Sequence, residues 1–226
     1  MIRAVLFDLD ETLLNRSASL LRFIRAQYYH HFSKLQDIPP HIWCDHFIQL
    51  DAGGYVSKDQ VYQQLLQKWP IKGLTCENLL KEYRSSFSNY CVSHPYACQL
   101  LQKLQNDGLH TGIITNGETS FQKDNIQRLG LRPFLDEVLV SQEEGLKKPD
   151  ILLFHRCAER LNVLPNECLY VGDHPVNDIE SAHQAGMISI WLQQLAPWPA
   201  ELPFPKNNIR NLRELLPLLS EMMNKG

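Results

Sequence analysis

Residues 4–14 read AVLFDLDETLL, an apolar run that passes straight into Asp8, Asp10 and Glu11. Consecutive apolar residues at the start describe a short strand covered on both faces. Side chains alternate along extended backbone, so Asp8 and Asp10 are expected on one side and Leu9 on the other. Two ionised carboxylates so placed repel by about 3 kcal/mol, for an effective dielectric of ~20 and a separation of ~5–6 Å. A cation, a shared proton or solvent has to offset that repulsion.

Similar apolar runs recur at TGIIT (111–115), EVLVS (137–141), CLYVG (168–172) and ISIWL (188–192). Helical periodicity separates them over 95–107, 119–129, 150–161 and 177–185, with Gly108, Gly130 and Gly186 as stop signals. The alternation predicts an α/β fold, a Rossmann-like parallel sheet core of about five strands with helices on both faces. Residues 15–94 break the alternation. There SLLRFIRAQYYHHF, HIWCDHFIQL, KDQVYQQLLQKW and CENLLKEYRSSF carry helical patterns, parted by Pro39-Pro40, Gly53-Gly54 and Pro70–Gly73. This stretch is expected to be an inserted all-helical domain in a core built from 1–14 and 95–226. Near the tail, a proline-rich loop (197–205) precedes LRELLPLL, which Pro217 is expected to interrupt.

The 226 residues are 44% hydrophobic and 21% charged, which excludes disordered and collagen-like classes. A net charge of −3 offers no basic footprint for nucleic acid, and no basic amphipathic stretch suggests a membrane surface. With a strand so near the N-terminus, no signal peptide is expected. The uncharged stretch 181–200 is broken by Gln193, Gln194, Pro197 and Pro199, so no membrane span and a cytoplasmic location are expected. Cysteines 44, 76, 91, 98, 157 and 168 form no C-x-x-C pair and are expected to be buried free thiols.

Polar residues cluster directly after the strands. Asp8, Asp10 and Thr12 follow the first, and Thr115, Asn116 and Gly117 close the second. Lys147 and Lys148 precede Pro149 after the third, and GDHPVND (172–178) brings Asp173 and Asp178 after the fourth. Each cluster alone reads as a turn acid, a cap or a surface lysine. Ligands of open parallel sheets bind beyond the carboxyl ends of the strands, where the strand order reverses. A central first strand would gather all these clusters there.

FDLDETL (7–13), ITNG (114–117), GLKKPD (145–150) and VGDHPVND (171–178) resemble the four motifs of the haloacid dehalogenase superfamily. Most of its members are Mg²⁺-dependent phosphatases. The resemblance covers the core segments, and the insertion resembles the family's helical cap. It implies hydrolysis of a small phosphomonoester, a nucleoside monophosphate or sugar phosphate, through an aspartyl-phosphate. Asp8 would be the nucleophile, Asp10 the general acid–base, and Lys148 the catalytic lysine that offsets negative charge. Thr115, the Asn116 amide and Lys148 would hold the phosphate. Mg²⁺ would be held by Asp8, the Asp10 carbonyl and Asp173, with Asp178 acting through water or through its contacts. A hard divalent cation with oxygen ligands would also answer the repulsion between the opening carboxylates.

ITNG and VGDHPVNDI look most like the group containing pyrimidine 5'-nucleotidases and acylneuraminate-9-phosphatases, with phosphoglycolate phosphatases further off. Within the superfamily the alternatives are a 2-haloacid dehalogenase, which lacks an acid where Asp10 stands, and a phosphomutase. A non-catalytic phosphate-sensing receiver is the alternative from another class, but receivers lack the insertion.

Other residues carry weaker expectations. His174 is expected to orient the loop beside Asp173. His30 and His31, adjacent on a helix, are not expected to share a face, which argues against a metal pair. Trp43, Trp69 and the tyrosines of the insertion are expected in its core. Gly53-Gly54, flanked by Asp51 and Lys58, is expected to supply specificity contacts.

Overall fold

The computed structural model describes residues 1–194 and 197–224. Strand β1 (Ala4–Phe7) leads to helices α1 (Arg16–His30), α2 (Phe32–Leu35), α3 (Pro40–Asp51), α4 (Lys58–Lys68) and α5 (Cys76–Ser86). There follow α6 (Ala97–Asn106), β2 (His110–Thr115), α7 (Thr119–Arg128), β3 (Glu137–Val140), α8 (Ser141–Glu144) and α9 (Ile151–Arg160). β4 (Cys168–Gly172), α10 (Ser181–Gln184), β5 (Ile188–Leu192), β6 (Asn208–Ile209) and α11 (Leu215–Asn224) complete the order.

The strands form one parallel sheet in the order β3-β2-β1-β4-β5-β6. It grows from β1 in both directions, and right-handed crossovers therefore place helices on opposite faces. β1 is buried along its whole length because it is central and covered on both sides. Its last residue, Phe7, stands level with Ile113 of β2 and Val171 of β4. Leu6, Ile114, Leu139, Phe154 and Tyr170 pack together as one layer of the core.

Four expectations need correction. Among the described residues the sheet has six strands where about five were expected: β6 is a two-residue edge strand beside Trp191 and Leu192, too short to show a pattern. Pro217 does not interrupt the last helix, because it lies in the first turn of α11, where its missing N–H would have no helical partner anyway. The helix expected over 177–185 is a π-helical turn, Pro175–Glu180, followed by α10. Finally, β1 stops at Phe7, so strand alternation does not orient Asp8 and Asp10. The chain turns instead: the Leu9 carbonyl accepts from the N–H groups of Thr12, Leu13 and Leu14, and Glu11 adopts φ 58°.

Two compact units divide the chain, 1–15 with 93–226, and 16–92. The second is helical, with Phe23, Tyr28, Trp43, Phe47 and Tyr62 buried in its core. Thr75 caps α5 by accepting the Asn78 N–H. Asp51 is buried and bound to both Arg16 and Lys58, so its charge is consumed inside this unit rather than offered as a specificity contact. The residue that the neighbouring Gly53-Gly54 turn exposes is Tyr55, at 73%.

His30 and His31 also depart from expectation. α1 ends at His30, and His31 leaves helical geometry at φ −100° and ψ 18°, which brings the two rings onto one side. All the cysteines are free, but only Cys44, Cys157 and Cys168 are buried; Cys76, Cys91 and Cys98 are half-buried. Among the described residues, no helix is long and apolar enough to cross a membrane. Of the uncharged stretch 181–200, residues 195 and 196 lie outside the described residues.

Candidate active site

Asp8 leaves the sheet between β2 and β4, its N–H donating to the Val171 carbonyl at 2.9 Å. Lys148 arrives from the loop after β3. Its Nζ donates to Asp8 Oδ1 at 2.5 Å, to Asp178 Oδ1 at 2.6 Å and to the Tyr170 hydroxyl at 3.1 Å. An ammonium carries three protons, and these contacts use them all. Lys148 is only 4% exposed, whereas Lys147 points to solvent. Burial disfavours its charge, but the carboxylates of Asp178 and Asp8 outweigh burial and hold the ammonium above its ordinary range.

The carboxylates are shifted upward as well, toward their protonated forms. Burial, with repulsion from Asp178 and Asp10, pushes Asp8 up to about 7 although Lys148 pulls it down. Burial and repulsion from Asp8 and Asp178 push Asp173 up to about 9. Carboxylate oxygens of Asp8, Asp173 and Asp178 all lie within 4.8 Å of one another. Ionising all three against one ammonium would leave a double negative charge in a buried place, which a divalent cation would balance. The donors are all hard oxygens, so the set fits a hard divalent cation such as Mg²⁺.

Asp178 is fixed from several sides. Its Oδ2 accepts the His174 N–H at 3.0 Å, and its Oδ1 accepts from the Tyr170 hydroxyl at 3.0 Å. Burial holds the Tyr170 phenol well above its ordinary range, so it remains a neutral donor. Gly172 leaves room for this carboxylate: a Cβ there would sit 2.5 Å from Asp178 Cβ and Cγ. The His174 Nδ1 accepts the N–H groups of Val176 and Asn177 and so caps the π-helical turn that carries Asp178.

Asn116 faces Lys148 by its side chain, with Nδ2 on the Lys148 carbonyl at 3.0 Å and Oδ1 on the Lys148 N–H at 2.9 Å. Thr115 meets Asp10 through a residue that the sequence did not single out. Gln122, from α7 and 2% exposed, sends Nε2 to Asp10 Oδ2 at 2.8 Å, Thr115 Oγ1 at 2.9 Å and the Asn116 carbonyl at 3.1 Å. Gly117, at φ 153°, allows that approach, since a Cβ there would lie 2.8 Å from Gln122 Cγ. Tyr170 was likewise missed, reading as one more apolar-run residue of β4. The structure thus brings Asp8, Lys148, Asp173 and Asp178 into one cluster, and links Asp10, Thr115 and Asn116 through Gln122.

The sequence profile of the haloacid dehalogenase-like hydrolases matches residues 5–192. The chain belongs to the haloacid dehalogenase-like hydrolase family. A glyceraldehyde 3-phosphate phosphatase from Methanocaldococcus jannaschii is 30% identical to this family member over 84% of each chain. The pyrimidine 5'-nucleotidase YjjG of Escherichia coli is 27% identical, covering 95% of this chain and 96% of its own. Among solved structures, the magnesium-bound HAD-hydrolase YfnB of Bacillus subtilis is 25% identical, with a TM-score of 0.75 over 96% of this chain and 98% of its own.

Proposed function

We propose that this protein is a Mg²⁺-dependent phosphatase of small phosphomonoesters, acting through an aspartyl-phosphate on Asp8. One observation carries the reading: Asp8 stands at the end of the central strand with one oxygen on Lys148 and two further carboxylates close by. The relatives named for a triose phosphate and for pyrimidine nucleotides favour a sugar phosphate or a nucleoside monophosphate as substrate.

Asp8, the Asp10 carbonyl and Asp173 would hold the ion, with Asp178 supporting them. When bound, Mg²⁺ supplies the positive charge that lets Asp8 stay ionised beside a phosphate dianion. The Asp8 carboxylate attacks phosphorus, the bond to the leaving oxygen breaks, and Asp10 gives that oxygen its proton. Asp10 then takes a proton from the water that attacks the acyl-phosphate, which regenerates Asp8 and releases phosphate. A positioned acid–base group of this kind contributes about 10²–10⁴ in rate. Lys148, the Thr115 hydroxyl and the Asn116 amide offset and orient the phosphoryl oxygens, since positioning and charge carry most of phosphoryl transfer. Residues 16–92 take the part of the family's helical cap in this reading.

The test is a screen of sugar phosphates, including glyceraldehyde 3-phosphate, and nucleoside monophosphates for released phosphate, with Mg²⁺ and with a chelator. Release that needs Mg²⁺ and disappears in Asp8→Asn is expected. Turnover undiminished in chelator, or chloride release from a 2-haloacid in place of phosphate release, would overturn the reading.

A further inference from the structure

At the end of α1, two histidines meet one carboxylate. His30 Nδ1 lies 2.7 Å from Glu82 Oε1, and His31 Nε2 lies 2.8 Å from Glu82 Oε2. The rings stack, with centroids 4.7 Å apart. Two stacked imidazolium rings would repel each other, and an ordinary ion pair needs only one of them.

Glu82, on α5, is not a roaming surface acid. Gln27 Nε2 donates to its Oε2 at 3.2 Å and to the Leu79 carbonyl at 3.1 Å. The Gln27 oxygen in turn accepts from the Tyr62 hydroxyl at 2.8 Å. Gln27 and Tyr62 are buried, at 1% and 0% exposure, so a rigid polar relay sets the carboxylate's direction. Hydrogen-bonded support behind a ligating carboxylate is what built metal sites use to orient their ligands.

We propose that His30 Nδ1, His31 Nε2 and the Glu82 carboxylate bind a borderline divalent transition metal, of which Zn²⁺ is the representative, at a site separate from the Asp8 cluster. One ligand atom from each residue already lies within 4.8 Å of the others. Imidazole nitrogens favour Zn²⁺ over Mg²⁺, in contrast to the all-oxygen cluster around Asp8. Tetrahedral Zn²⁺, with bonds of about 2.0–2.1 Å, spaces its donors by ~3.3 Å, roughly half an ångström more than the present contacts. His30, whose side chain is 68% exposed, has the freedom to make that adjustment and leaves a face open to water. The ion would clip α1 to α5.

The full-length protein, held in saturating Mg²⁺, is titrated with Zn²⁺ against a chromophoric chelator. Wild type should take up one equivalent and gain in melting temperature. Glu82→Gln and His31→Ala should lose that equivalent, and Gln27→Met should weaken it by ~10-fold or more, as for lost support behind a ligand. His30→Ala removes an exposed side chain, so it decides the matter should a buried variant fail to fold. Asp173→Asn, in the carboxylate cluster, should leave Zn²⁺ uptake unchanged. Absence of uptake by wild type, or equal affinity in wild type and His30→Ala, would overturn the proposal.

Discussion

Asn116 grips the backbone of Lys148 with both ends of its side-chain amide, donating to the carbonyl and accepting from the N–H. The loop after β2 thereby sets the position of a lysine carried by the loop after β3. A side-chain amide offers a donor and an acceptor in that geometry, which an ionised carboxylate does not.

Asn116→Asp keeps the acceptor but turns an oxygen toward the Lys148 carbonyl, so the lysine should shift. A misplacement of about 1 Å costs up to ~10²-fold in rate. Asn116→Asp should therefore lose more phosphate release than stability. Urea unfolding measured beside turnover checks this, and a loss confined to stability would refute it.

Gln122→Leu removes the shared donor from Asp10 and Thr115 while keeping an apolar side chain of similar size. On the proposed mechanism, turnover of an alkyl phosphate should drop by ~10-fold or more, because its basic leaving oxygen would need the Asp10 proton. The first step with an aryl phosphate, seen as the phenolate burst, should change far less. Equal losses in both would mean that Gln122 does not act through Asp10.

Lys148→Met should abolish turnover, whereas Lys147→Met should keep most of it. The lost ammonium strands Asp8 and Asp178 as buried neighbours, and breaking such a pair costs about 3–5 kcal/mol. Added Mg²⁺ should recover part of the lost melting temperature in Lys148→Met, because a divalent ion replaces some of the missing charge. Thermal melts with and without Mg²⁺ read this directly.

Glu144 supplies a pH dependence away from the cluster. Burial alone would raise its carboxyl, but Arg156 and Arg160, each at 2.9 Å, outweigh burial and hold it below the ordinary carboxylate range. The unfolded chain then binds the proton more readily than the folded one. The stabilisation is present in full above the unfolded value of about 4.3 and is lost as pH falls through the lower folded value. Glu144→Gln should flatten the acid limb of the stability curve while leaving its slope near neutral pH unchanged, as measured by denaturant midpoints.

What the sequence disclosed followed from simple rules. Asp8, Thr115, Lys148 and Asp173 stand at or after apolar strands, and a central β1 flanked by β2 and β4 brings those ends together. Gln122 was illegible because a glutamine in a polar helix reads as solvated surface; its role depends on how close α7 starts to the end of β2. Tyr170 looked like a core aromatic, and its hydroxyl gains meaning only from Lys148 and Asp178, which are remote in sequence or hidden in a turn. The shared face of His30 and His31 was not legible because helical spacing was extended one residue past the end of α1.

The strand order sets a schedule for synthesis. β1 is made before either of its neighbours, which are β2 and, much later, Cys168–Gly172 of β4. Long-range parallel pairing of this kind is slow to form, since loop closure must precede the contacts that reward it. Until Lys148 and Asp178 have emerged, Asp8 has neither its counter-ion nor its neighbouring charge. A nascent chain stalled before Asp178 therefore leaves the Asp8 carboxylate hydrated, and the carboxylate cluster assembles only once β4 and the turn after it have been made.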